Sequence, residues 1–168
     1  CVSIGVMVRG RIEHGVIYDP LREELFTASR GAGAQLNDRR LRVTKQKTLA
    51  GSLIATGFPF KYHEHFPAYL ATFNAVFPEV SDLRRGGSAA LDLAYVAAGR
   101  VDAYWELGLQ KWDLAAGILL IEEAGGVVSD FTGGENHIEH GNLVAGNFNI
   151  HQQLLNQIKP HLSEALKK

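Results

Sequence analysis

The chain has 168 residues, enough for one ordinary domain or two small sub-domains. At that size roughly 70% of the extended chain's surface can be buried. Hydrophobic residues make up 46% and charged residues 21%, which excludes a disordered chain. Lys and Arg number 17 against 18 Asp and Glu, a net charge of −1, so attraction to nucleic acid or anionic membrane is not the organising principle. The single cysteine, Cys1, cannot form an internal disulfide, which fits a reducing, cytoplasmic setting. No apolar run approaches the ~20 residues of a membrane span, and no basic-then-apolar leader is visible.

The run Cys1-Val2-Ser3-Ile4-Gly5-Val6-Met7-Val8 reads as a buried strand. A chain seldom starts in mid-strand, so the sequence is expected to be the later part of a longer protein. Arg9-Gly10 turns into a second strand over 11–18, closed by Asp19-Pro20. Strands over 24–28 and 31–36 follow, the second after a glycine-rich turn. Connections this short predict an antiparallel meander, because a parallel crossover needs a dozen or more residues.

From Gly51 the pattern changes. Residues 52–57 form a short apolar strand with a glycine exit. Phe66, Leu70, Phe73 and Phe77 at helical spacing predict a helix that Pro78 stops. A strand near 80–83 leads to a helix over about 88–98, then a strand over 101–105. A helix from about Asp113 to Ala124 ends at Gly125-Gly126. Further strands are expected over 127–130 and 143–145. Ile150, Leu154, Ile158, Leu162 and Leu166 place a final helix, kinked at Pro160. The alternation predicts a layered α/β (α+β) architecture. Residues 1–50 read as a mainly antiparallel sheet sub-domain, and 51–168 as an α/β sub-domain carrying a binding edge.

The densest chemical signal is Arg84-Arg85-Gly86-Gly87-Ser88-Ala89-Ala90, then Glu106, then Trp112-Asp113-Leu114-Ala115-Ala116-Gly117. Gly87 and Ser88 fall where a strand gives way to a helix, Glu106 ends the next strand, and Asp113 opens the next helix. If those strands are parallel neighbours, all three places share the carboxyl edge of one sheet, where open α/β sheets bind ligands. A Gly-Ser turn there offers free backbone N–H groups. Glu106 can accept hydrogen bonds from hydroxyls, and Asp113 is a hard oxygen ligand suited to Mg²⁺. The plainer readings stand beside these: Asp at a helix start is commonly a cap, and Gly-Ser is a common helix entry.

These segments resemble the inositol monophosphatase family, in its bacterial SuhB-type branch. Trp112-Asp113-Leu114-Ala115-Ala116-Gly117, continuing through Glu122-Glu123-Ala124-Gly125-Gly126 to Asp130-Phe131-Thr132-Gly133-Gly134, is similar to that family's C-terminal signature. Arg85-Gly86-Gly87-Ser88-Ala89-Ala90-Leu91-Asp92-Leu93-Ala94 and residues 101–106 match it too. The resemblance runs from Cys1 to the lysine-ended tail. It implies an alternating α-β-α-β-α sandwich and a lithium-sensitive, Mg²⁺-dependent phosphatase, dimeric as the family typically is. The implied substrate is an inositol phosphate. Carried over by position, it makes Asp113 the last metal-ligating, catalytic aspartate. It places Gly87, Ser88, Ala89 and Glu106 on the inositol hydroxyls, and Arg84 on the substrate. Metals would supply positive charge where negative charge builds up, and water bridged to them would be the nucleophile.

The family's Glu-Glu and Asp-Pro-Ile-Asp-Gly-Thr-type motifs, which supply its other metal ligands, are expected to precede Cys1; Glu122-Glu123 belongs to the C-terminal signature instead. Asp19-Pro20-Leu21-Arg22 lacks the following Asp-Gly-Thr and reads as a turn. One carboxylate cannot hold a catalytic metal pair, so this chain alone is expected to be inactive. His63-Glu64-His65 and His137-Ile138-Glu139-His140 lack the partners of a zinc site and read as surface histidines. Gly31-Ala32-Gly33 reads as a tight turn, without the third glycine of a dinucleotide fingerprint. Arg39, Arg40, Arg42, Lys45 and Lys47 form the only basic run, a solvated face or a contact for RNA or an acidic partner. Some bacterial family members are implicated in ribosomal RNA transcription with RNA polymerase and its Nus factors. That gives the alternative: a binding factor whose phosphatase activity is secondary.

Overall fold

Alternation of inward and outward side chains over the first forty residues builds an antiparallel meander. Its strands are β1 (Val2–Val8), β2 (Arg11–Asp19), β3 (Glu24–Ser29), β4 (Gly33–Leu36) and β5 (Arg39–Arg40), in that spatial order. This computed structural model describes residues 1–167. On β2 the inward set is Ile12, Gly15, Ile17 and Asp19. The two-residue strand β5 was not anticipated from the sequence. Asn37 and Asp38 both adopt positive φ (46° and 63°), the backbone a two-residue hairpin needs, so the basic run begins as a strand.

The second half follows as β6 (Leu53–Thr56), α1 (Phe66–Val76), β7 (Asp82–Arg84), α2 (Ala89–Ala97) and β8 (Ala103–Glu106). Then come α3 (Lys111–Glu123), β9 (Val127–Ser129), α4 (His137–His140), β10 (Leu143–Gly146) and α5 (Phe148–Ile158). The sheet order is β7-β6-β8-β10-β9. β6 is parallel to both β7 and β8, while β10 is antiparallel to β8 and β9.

Helices α2 and α3 lie between the two sheets, and one core joins Ile12, Ile17 and Phe26 of the first sheet to Leu93, Leu119 and Tyr104. Because α3 is covered on both sides, residues 116–121 are buried without a break, as a helix apolar all round requires. A second core lies beyond the second sheet, where Trp105 and Val144 meet Tyr69 of α1 and Leu154 of α5. Sheet, helices, sheet, helices form four successive layers of an α+β sandwich. The outer face of the first sheet, with Val2, Ile4, Val6 and Val8, is exposed.

Two helices depart from their sequence patterns. Of the predicted stripe, Phe66 and Leu70 of α1 and Phe77 just beyond it point outward and Phe73 packs only partly on the second core, while the buried face is Tyr69, Thr72 and Val76. Tyr69 stacks on Trp105, with ring centroids 6.4 Å apart, and its hydroxyl lies 3.3 Å from the Thr56 hydroxyl. An aromatic that also has a buried polar partner satisfies both ends, which selects that face. The final helix stops at Ile158; Lys159–His161 and Glu164–Lys167 are separate 3₁₀ turns. Pro160 therefore ends the helix instead of kinking it.

Under α5, the His151 Nε2 lies 2.8 Å from the buried Ser129 hydroxyl. Burial, aided by Lys159, pushes the imidazole from 6.5 down to about 4, so the fold favours its neutral form. That stability is present above the unfolded value and is lost as pH falls from about 6.5 towards about 4; it amounts to about 3 kcal/mol. Urea unfolding across that pH range should show a drop of this size that a His151→Asn variant largely lacks. Parallel pH curves for the two proteins would show that another group controls acid sensitivity.

Candidate active site

The parallel arrangement of β7, β6 and β8 brings three strand ends to one edge, although β6 separates the other two and they are not direct neighbours. β7 leaves through Arg85-Gly86-Gly87-Ser88 into α2, and β8 ends on Glu106. Gly87 has φ +98°, a conformation open to glycine at little cost. Ser88 is the N-cap of α2, its hydroxyl accepting from the Leu91 N–H at 3.4 Å. The opening amides of α2 have no intrahelical partner and remain available as donors. Arg85, Gly87, Ser88, Ala89, Glu106 and Asp113 line one cavity of about 240 Å³ together with the 58–62 loop.

Asp113 is the third residue of α3, not its first, because the helix begins at Lys111. Its Oδ2 accepts from the Gln110 N–H at 3.0 Å. The capping reading is therefore correct, yet among the described residues nothing hydrogen-bonds Oδ1, and the side chain lines the cavity.

Glu106 is buried, and its carboxylate accepts from the Tyr104 hydroxyl. Burial raises its pKa above the ordinary carboxyl range; the Tyr104 bond and Arg85 oppose the shift, and Asp113 adds to it. Gly57, just after β6, leaves no room for a side chain, because a Cβ there would overlap the Glu106 carboxylate. The position of Glu106 therefore depends on a glycine at the end of the neighbouring strand, where Thr56 pairs with Trp105.

Arg84 is not part of the cavity lining. Its guanidinium is exposed and ion-paired with Asp82, whereas Arg85 lines the cavity and lies 5.3 Å over the Phe58 ring. Successive residues at a strand end project to opposite sides, which divides the two arginines. Arg85 is thus a site residue that position-matching passed over. Asp92, in α2, does not line the cavity; it is buried behind the turn, and Oδ1 rests where a Cβ on Gly86 would be. Its signal in the sequence is a lone charge in the apolar run 89–98.

The remaining candidates fall away from this edge. Among the described residues no group of three His, Cys, Asp or Glu side chains could hold a metal ion. Asp113 by itself fits as one Mg²⁺ ligand and does not complete a site. His63–His65 is a single 3₁₀ turn, but His137 is not a surface residue: it is buried and its Nδ1 lacks a partner. The Gly31 and Gly33 amides both donate to the Glu123 carboxylate, at 2.7 Å each, so that turn docks on α3. Asp19 Oδ1 accepts from the Leu21 and Arg22 amides, a turn and not a metal site. Arg39, Arg40, Arg42, Lys45 and Lys47 are all exposed.

Gly87, Ser88 and Ala89, the buried Glu106 and Asp113 thus line one cavity at a parallel sheet edge, in a layered α+β protein. Matching the inositol monophosphatase family over residues 1–166, the chain belongs to that family. It is 55% identical over 167 residues to the Nus factor SuhB of Escherichia coli K12. That match covers 99% of this chain and 62% of the relative, so the chain spans less than two thirds of the relative's length. The extragenic suppressor protein suhB of Bartonella henselae superposes with a TM-score of 0.92 at 49% identity, over 95% of this chain and 61% of that one. SaIMPase-II bound to inositol monophosphate superposes at 0.84 with 30% identity, over 95% and 62% respectively. No helix among the described residues is long and apolar enough to cross a membrane.

Proposed function

We propose that this chain carries the substrate-binding edge of a Mg²⁺-dependent phosphomonoesterase acting on inositol 1-phosphate, releasing inositol and phosphate. The observation that carries the reading is the convergence of Ser88, Glu106 and Asp113 on one cavity. Its size suits a small polyol, and SaIMPase-II, a structural neighbour, binds inositol monophosphate. In this reading Gly87, Ser88 and Ala89 offer backbone donors to the ring hydroxyls, and Glu106 accepts from them. Asp113 contributes one oxygen to Mg²⁺, which when bound stabilises charge building up on the phosphate. Arg85 takes the role that resemblance gave to Arg84, since it is the arginine in the cavity lining. The remaining metal ligands come from outside the described residues, and the working protein is a cytoplasmic homodimer.

Glu106→Gln tests the assignment, because the amide oxygen can still accept from Tyr104 while the charge is gone. In a protein extended to its relatives' length, affinity for inositol 1-phosphate should fall about tenfold, the difference between a charged and a neutral acceptor. Esters without the matching hydroxyls should be nearly unaffected. Equal losses on both classes would make Glu106 structural.

One observation favours a second reading. The Escherichia coli relative is a Nus factor, and the exposed basic ridge from Arg39 to Lys47 suits an RNA or acidic-protein contact. Retention on RNA polymerase with Nus factors, abolished by charge reversal along that ridge, would support a transcription role beside or above catalysis.

A further inference from the structure

The two adjacent arginines at the end of β7 are held in opposite ways. Arg84 spends its guanidinium on Asp82, in an exposed ion pair. Arg85 makes no ion pair or hydrogen bond among the described residues; its guanidinium carbon lies over the Phe58 ring, 5.3 Å from the centroid. The same group reaches the cradle, because Nη1 stands 3.3 Å from where a Cβ on Gly87 would be. Phe58 is fixed in turn: its ring meets that of Tyr69 edge to face, at 5.6 Å and 88°, and Tyr69 is buried against Trp105. Yet Phe58 stays 45% exposed and lines the cavity. A ring anchored on the core and left open towards the site needs a reason, and what it carries is Arg85.

A cation over a ring face at this distance is attracted to it, and the contact uses up no anion. The guanidinium is held in place while its charge stays uncompensated and its N–H groups stay free, which is what a phosphate requires of an arginine. An ion pair like that of Arg84 would have to be given up first. We propose that Phe58 is a positioning residue: its ring holds Arg85 at the cavity wall beside Gly87, ready for the anionic group of the substrate. The inference rests on the phosphatase reading above, in which Arg85 contacts the substrate. Phe58 acts through Arg85 and takes no part in the chemical step, so its loss should appear in binding and not in turnover.

The test uses the protein extended to its relatives' length, with Mg²⁺ and inositol 1-phosphate. Phe58→Leu keeps an apolar side chain against Tyr69 and removes the ring face. It should raise KM about two- to fivefold, the range of an exposed cation–ring contact, with kcat nearly unchanged. Phe58→Tyr, which retains the face, should restore the original KM. In an Arg85→Met background, Phe58→Leu should raise KM no further, because nothing is left to position. A second readout needs no turnover: the Phe58 ring should shift the Arg85 δ-methylene proton resonances upfield, and Phe58→Leu should abolish that shift. A KM unmoved by Phe58→Leu, an equal rise in both backgrounds, or no ring-dependent shift at Arg85 would each overturn the inference. If the wild-type protein neither binds nor hydrolyses inositol 1-phosphate, the phosphatase reading itself fails and the inference falls with it, so the activity of the wild type tells the two failures apart.

Discussion

Asp113→Asn in the protein extended to its relatives' length should abolish most Mg²⁺-dependent phosphate release while leaving the fold intact. Oδ2 takes the Gln110 N–H, and the amide oxygen of Asn can keep that bond, since Asn caps helices about as well as Asp. The side chain lines the same cavity as Ser88 and Glu106, and on the proposed reading the substitution there replaces an anionic ligand with an amide that binds a hard cation poorly. Metal-derived charge stabilisation is worth several kcal/mol, so activity should fall at least about 100-fold at ordinary Mg²⁺. The melting temperature without metal should change little. Retained activity would remove Asp113 from the ligand set. A large loss of stability without metal would show that the cap is its main role.

How far the sequence discloses this site depends on which physical signals are local. Strand and helix alternation is local, and it places Gly87, Ser88, Glu106 and Asp113 at element ends without knowledge of the sheet order. That β6 lies between β7 and β8 is not local, because nothing within residues 82–106 records a strand that ended at Thr56. The choice between Arg84 and Arg85 is not local either: it follows from Phe58, which offers Arg85 a ring, and from Asp82, which holds Arg84. The same limit explains α1. Its Phe66, Leu70, Phe77 stripe is a sound helical pattern, but Tyr69 alone has both Trp105 to stack on and Thr56 to meet.

A polypeptide of residues 1–168 alone should release no phosphate from inositol 1-phosphate across a Mg²⁺ series, and should self-associate. The first expectation follows from the ligand inventory: Asp113 lines the cavity, and no set of three ligating side chains exists among the described residues. One carboxylate binds Mg²⁺ weakly, and stabilisation follows occupancy. At a free ion concentration equal to the dissociation constant it is only about 0.4 kcal/mol, so added Mg²⁺ should barely move the melting temperature. The second expectation follows from the first sheet. Val2, Ile4, Val6 and Val8 form a row on its outer face, each between 43% and 52% exposed. β1 pairs with β2 on one side only, leaving its other edge open. An apolar face beside an unpaired strand edge invites pairing between copies. Light scattering should therefore rise with concentration, and Ile4→Lys, which puts a charge in the middle of the row, should suppress it. A monomeric, soluble 168-residue chain that turns over inositol 1-phosphate would overturn both the ligand inventory and the reading of the bare face.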